Sequence, residues 1–190
     1  MPNARKHREN LVESAVRLFR RQGYAATGLQ QILAASRAPK GSLYHYFPGG
    51  KEAIGEAAVE RAGELSAHTL EDLAASHGEP AAFLRAWFEQ YAAWMEESDF
   101  QSGCPIATTL LETAPLSAPI TRAGLGAIGR WVEIIAGLLE RAGTPLDAAE
   151  REARLAICTL EGALVLARVQ RSKQAILEAG ACLAERWETQ

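Results

Sequence analysis

ASRAPKGSLYHYFPGGK, residues 35–51, carries three local signals in succession. Ser36–Ala38 reads as a tight turn, Pro39–Phe47 as a short helix, and Pro48-Gly49-Gly50 as its stop. The helix holds Lys40, Ser42, Tyr44, His45 and Tyr46, too many polar tips for a core helix of that length. Leu43 and Phe47, four apart, give it one narrow apolar stripe. A helix anchored along one stripe, with its other faces given to cationic and hydrogen-bonding groups, suits a nucleic-acid groove.

Upstream, residues 1–8 are polar and basic and read as an unstructured arm. A first helix is predicted over 8–22, with Leu11, Val12, Ala15, Leu18 and Phe19 on one face and Gly23 closing it. Thr27 reads as the N-cap of a second helix over 28–35, with Leu29, Ile32 and Leu33 inward. Three short helices with a tight turn between the last two make a helix-turn-helix unit. Charge agrees with that reading. Residues 1–51 hold nine basic residues against Glu9 and Glu13, a net of +7, so the remainder carries 11 of the 20 basic and 21 of the 23 acidic residues, a net of −10. A basic head on an acidic body is built to meet a polyanion with one end only.

Downstream, long helices are predicted over 51–76, 81–97, 119–142, 147–171 and 173–187, with a short one over 106–113. Ile54, Ala58, Leu65 and Leu73 are the inward positions expected of the first of these. The fold class is therefore all-α: a helix-turn-helix DNA-binding domain over 1–50 and a helical ligand-binding and dimerisation domain over 51–190. Cys104, Cys158 and Cys182 are widely spaced and suit a reducing cytoplasm. No apolar run reaches the ~18 residues of a membrane span, and MPNARKHREN lacks the apolar core of a secretion signal. No CxxC, HExxH or Gly-rich phosphate loop is present, so neither metal nor cofactor is expected, and no enzyme.

Within the head, Lys40 stands at the helix start, where free backbone N–H groups already attract anions. Gly41 lets the backbone approach closely, Tyr44 and Tyr46 offer hydroxyls to phosphate, and His45 can donate to phosphate or base. Ser42 is the candidate for a base-edge contact; Arg37 in the turn and Lys51 at the next helix add cations. KGSLYHYF followed by a Pro-Gly break and KEAI resembles the recognition-helix signature of the TetR family of bacterial regulators. AVRLFRRQGYAATGLQQILAAS resembles that family's first two helices, with Phe19, Gly23, Thr27 and Ile32 at its habitual positions. FPGGKEAI, with GCPIATTLLE at 103–112, resembles the LmrA/YxaF-like branch. Two positions depart from the pattern: Arg37 replaces the usual turn glycine, and Pro39 the usual serine before the lysine. The resemblance implies a homodimer on a palindromic operator in double-stranded DNA, released by a small hydrophobic effector and usually repressing.

The body offers matching chemistry. Phe83, Trp87, Tyr91, Trp94, Phe100 and Trp131 are more large aromatics than a small bundle needs, and His68, Gln90, Thr108 and Thr109 can supply sparse polar contacts. Apolar walls with few polar groups describe a small-molecule pocket, although any one aromatic can equally be plain core. Glu161 interrupts the apolar run 155–167, so it is paired, exposed or waiting for a cationic ligand. Cys104, in a loop beside Pro105, is a candidate pocket residue and a candidate redox switch; a ligand-independent or thiol-responsive regulator is the alternative reading. The last two helices mix small and large apolar residues: Ala156, Leu160, Ala163, Leu164, Ala167, Ala175, Ile176, Ala179, Cys182 and Leu183. Two such helices from each copy would form a four-helix dimer interface. A helical protein–protein adaptor would explain the bundle but not the +7 head.

Overall fold

The computed structural model describes residues 2–189, with side chains from Lys6 onward. Among these residues the elements are all helical: α1 (Pro2–Gln22), α2 (Leu29–Ser36), α3 (Lys40–Tyr46), α4 (Gly50–Ser76), α5 (Pro80–Glu97), α6 (Pro105–Thr113), α7 (Ala118–Arg141), α8 (Leu146–Gln170) and α9 (Gln174–Glu188). They divide into two packing units. One is the chain up to Leu65 together with Cys104–Ala127; the other is Ser66–Gly103 with the chain from Ile128 onward. The first unit is thus larger than a head cut at residue 50, because α6 and the start of α7 pack into it.

In the first unit, Leu11, Ala15 and Phe19 of α1 are buried with Ile32 and Leu33 of α2, Leu43 of α3, Ile54 and Ala58 of α4, Ile106 of α6 and Ile120 of α7. The α1 helix starts at Pro2, not at Arg8: Pro suits a first helical position, and Ala4, Arg5, Lys6 and Arg8 are good helix formers. Residues 2–8 are therefore helix, not an arm. Thr27 is not the cap of α2. Gly28 holds that place, and the Gln31 side chain reaches back to accept its N–H at 2.8 Å. Thr27 is instead wholly buried, and its hydroxyl donates to the Gly23 carbonyl at 2.7 Å, closing the α1–α2 loop on itself.

The buried stripe of α4 runs Ile54, Ala58, Ala62 and then Ala67, Leu70. Val59 and Gly63 are buried as well, so burial continues to Ala67 and Leu70 in steps of four and three along one side of the helix. Leu65, expected inward, lies off this side and is exposed, and Leu73 is half-buried.

The second unit is built around α5, whose Phe83, Leu84, Trp87, Phe88, Ala92 and Met95 are buried. Helix α9 lies so close that a Cβ on Gly180 would stand 2.7 Å from the Phe88 Cβ. Helix α8 buries Ala149, Ala153, Ala156, Leu160, Ala163, Leu164 and Ala167. One carboxylate goes in with them: Glu152 accepts from the Arg186 guanidinium and from the Trp187 indole N–H at 3.2 Å. These partners satisfy a buried charge that would otherwise be costly.

Candidate nucleic-acid interface and effector residues

The α2–α3 turn is held by Ser36, whose buried hydroxyl donates to the Leu33 carbonyl at 2.9 Å and accepts the Ala38 N–H at 3.2 Å. Arg37 crosses the turn in the left-handed conformation, φ 54°, ψ 22°, which costs a side-chain-bearing residue about 1–2 kcal/mol. Helix α3 has seven residues, too few to stand alone in water. Leu43 and Phe47 are buried and anchor it, each contributing about 1.5–3 kcal/mol. The Arg8 guanidinium lies 5.4 Å over the Phe47 ring.

What α3 leaves outside is polar. Lys40, Gly41 and His45 are exposed, Tyr44 is 61% exposed, and Ser42 and Tyr46 are half-buried. The His45 and Tyr46 rings meet edge to face with centroids 4.7 Å apart. A Cβ on Gly41 would meet nothing within 4 Å, so packing within the chain does not require a glycine there. Seven of the eight sequence candidates therefore share one turn and one short helix. Lys51 is the exception. Its ammonium donates to the Ala25 carbonyl at 3.2 Å and lies 4.4 Å from the centre of the Tyr24 ring. Burial lowers its pKa, and the nearby Glu112 carboxylate pulls it partly back up.

The effector candidates are more scattered. Phe83, Trp87, Tyr91 and Trp94 form a row along α5, with successive ring centroids 6.1, 6.3 and 5.1 Å apart. Trp87 is buried, and its indole N–H has no hydrogen-bond partner among the described residues. The Tyr91 hydroxyl donates to Ser66 Oγ at 3.4 Å. Trp131 is buried in the same unit. Phe100 is half-buried and left-handed at φ 58°, directly after a left-handed Asp99. His68 stands outside the row, exposed, its Nδ1 3.4 Å from Glu71. Glu161 is half-buried and partnered; the buried carboxylate of α8 is Glu152, nine residues earlier among Ala149, Ala153 and Ala156. Cys104 and Thr108 belong to the first unit. Cys104 is the N-cap of α6, its sulfur accepting the Ala107 N–H at 3.5 Å. The Thr108 hydroxyl is spent on backbone carbonyls, Cys104 at 2.9 Å and Phe19 of α1 at 3.2 Å, and so ties α6 to α1.

Compared with known proteins, residues 11–58 match the family described as bacterial regulatory proteins, tetR family, and residues 80–182 match the LmrA/YxaF-like transcriptional regulator C-terminal domain. The chain belongs to the TetR family. It is similar to an HTH-type transcriptional regulator of Mycobacterium tuberculosis, 38% identical over 86% of this chain and 85% of that one. It is also similar to the HTH-type transcriptional repressor DhaR of a Mycobacterium species, 30% identical over 88% of this chain and 85% of that one. A solved TetR transcriptional regulator from Chloroflexus aurantiacus superposes with a TM-score of 0.84 at 28% identity, covering 100% of this chain and 98% of that one. This TetR-family chain is a DNA-binding transcriptional regulator, and its relatives are regulators and not enzymes. Members of the family bind DNA and typically act as dimers.

The dimer residues expected on the last two helices need correction. Ala156, Leu160, Ala163, Leu164, Ala167, Ile176 and Leu183 are buried within a single copy of this TetR-family chain, and Ala175 and Ala179 are half-buried. What α8 leaves uncovered is its opposite face: Leu155, Cys158, Gly162, Val165, Leu166 and Val169, with Cys182 exposed on α9. Sequence reasoning also missed Glu112, although the GCPIATTLLE motif ends on it. Its partner, the Ala25 N–H, lies 87 residues away along the chain and leaves no local mark.

Proposed function

We infer that this TetR-family regulator is a homodimeric repressor that binds a palindromic operator and is released by a small hydrophobic effector. The observation that carries the reading is α3 itself, held from below by Leu43 and Phe47 and presenting Lys40, Tyr44 and His45 to solvent. A face of that kind needs a polyanion to complete it. Lys40 and the Tyr44 hydroxyl contact phosphates, Arg37 adds a cation at the turn, and Ser42 and His45 approach base edges. The absence of any neighbour around Gly41 leaves its position free for close approach of DNA. Lys51, engaged with Ala25 and Tyr24, positions the head and does not reach for phosphate.

The exposed α8 face repeats apolar positions at 155, 158, 162, 165, 166 and 169, steps of three and four that make one stripe on a helix. Pairing that stripe with its copy gives a twofold interface, and the dimer then reads two half-sites about 34–36 Å apart. The effector lodges against the α5 aromatic row, where the unpartnered Trp87 N–H is a donor for a ligand acceptor. A ligand that fits only a differently spaced dimer lowers operator affinity by its preference for that state. Repression is supported by the similarity to a relative named as a repressor.

The test is selection of DNA fragments from a random pool by the purified protein. A palindrome with half-site centres one helical turn, or a multiple of it, apart supports the reading; an asymmetric or absent preference refutes it. One observation favours a second reading of the trigger. Cys104 caps α6, where a thiolate would be stabilised by the first N–H groups. Peroxide treatment that weakens operator binding in the wild type but not in Cys104→Ser would transfer the trigger to the thiol.

A further inference from the structure

Glu112 is placed against the usual electrostatics of a helix. It stands in the last turn of α6, where the helix dipole disfavours a carboxylate, and no basic residue shares that turn. Its partner lies in the head. The carboxylate accepts the Ala25 N–H of the exposed α1–α2 loop at 2.5 Å. It overlies Gly23 so closely that a Cβ there would stand 2.7 Å from Glu112 Oε1, and Gly23 itself has a left-handed φ of 85°. The left-handed φ favours glycine, and a side chain at this position would push the Glu112 carboxylate aside. The other main-chain group of the same residue, the Ala25 carbonyl, accepts from Lys51 in the first turn of α4 at 3.2 Å. One turn before Glu112, on the same side of α6, Thr108 reaches the Phe19 carbonyl at 3.2 Å, four residues before Gly23. Helix α6 is therefore tied to the end of α1 and to the loop that leads into α2, all within the first unit.

We propose that Glu112 is a positioning residue for DNA recognition: by clasping Ala25 it fixes the α1–α2 loop to α6, so that the setting of the recognition helix on DNA depends on where α6 stands. The inference rests on the DNA-binding reading above. Neither Glu112 nor Ala25 belongs to α3, so the clasp acts on the orientation of α2 and α3 and not through contact with DNA. Loss of the clasp degrades the fit to the right sequence and leaves the phosphate contacts, which are less exacting in geometry, in place.

The test uses full-length wild type, Glu112→Gln and Glu112→Ala. Each is titrated with a duplex the wild type selects from a random pool and with a scrambled duplex, and hydrogen exchange is followed in peptides covering 23–28. Glu112→Ala is expected to lose about tenfold in preference for the selected duplex, the scale of one charge-assisted hydrogen bond. Binding to the scrambled duplex and its salt slope stay as in the wild type, and exchange at 23–28 accelerates. Glu112→Gln restores much of the preference, because an amide oxygen still accepts the Ala25 N–H. Unchanged preference in Glu112→Ala overturns the inference, and so does unchanged exchange at 23–28. If Glu112→Gln behaves as Glu112→Ala while both lose melting temperature equally, the residue is merely structural and the inference also falls. A wild type that binds neither duplex removes the DNA reading itself, and this inference with it.

Discussion

Replacing Val165 by Glu puts a charge into the middle of the uncovered α8 face. Val165 is 61% exposed in the single copy, and Leu166 and Val169, beside it, are 53% and 77% exposed. Full burial of a valine is worth about 1.5–3 kcal/mol, so covering what remains exposed contributes about 1–2 kcal/mol per copy. Twofold symmetry counts the residue twice, giving about 2–4 kcal/mol for the valines alone. Two glutamates brought together there add desolvation and like-charge repulsion. The dimer dissociation constant should therefore rise by at least about 30- to 1,000-fold. Sedimentation over a concentration series measures it directly. Val165→Ala should fall between wild type and Val165→Glu. The melting temperature of the dilute, monomeric protein should barely move, because the residue faces away from its own bundle. A dimer whose dissociation constant is unchanged in Val165→Glu would refute the assignment of this face.

Lys40→Ala should weaken binding to all DNA sequences and reduce the slope of log affinity against log salt by about one unit, the signature of one lost phosphate contact; an unchanged slope in a salt titration removes Lys40 from the backbone contacts. Arg37→Gly should relieve the left-handed strain, raising stability by up to about 1 kcal/mol and the melting temperature by roughly 2–4 °C, while DNA affinity falls; a variant that gains stability with undiminished affinity shows that Arg37 touches no DNA. The hydrogen bond from Arg130, and then His68, holds the Glu71 carboxyl below its ordinary 4.5. Its contribution is fully present above that value and is lost as the pH falls through the lower, folded-state value. Melting curves between pH 7 and pH 3 should thus converge for wild type and Glu71→Gln at the acid end; a constant gap across that range would contradict the assignment.

Much of the reading head was legible because its signals are local. Leu43 and Phe47 lie four apart and are buried as that spacing requires, and the polar residues between them are outside. The contacts of Lys51 were not legible, because Ala25 and Tyr24 come from a loop 26 and 27 positions earlier, and proximity to a basic helix says nothing of where an ammonium points. On α8 the sequence carries two apolar stripes, one rich in alanine and one in larger side chains. Close helix approach favours small residues whether the neighbour is the same chain or another. Periodicity alone could not say which stripe a single copy keeps, and the alanines belong to the interior. In sequence Thr27 reads as a helix cap and Thr108 as a polar pocket contact, yet both hydroxyls are consumed by carbonyls that only the folded backbone brings near. The aromatics of α5 were visible from their number, whereas the row they form and the Trp87 N–H depend on how the surrounding helices pack.

The membership of α6 and early α7 in the first unit has a practical corollary for anyone hoping to transplant this reader onto another sensor. Ile106 and Ile120 are part of the same interior as Leu11, Phe19 and Ile54. A graft ending after α4 would strip those two isoleucines away and leave raw grease where they had been. Chimeras should splice in two places and carry residues 104–127 along, since the DNA-reading half of this regulator is stitched from separate lengths of the gene and cannot be lifted out as its opening exon-like piece.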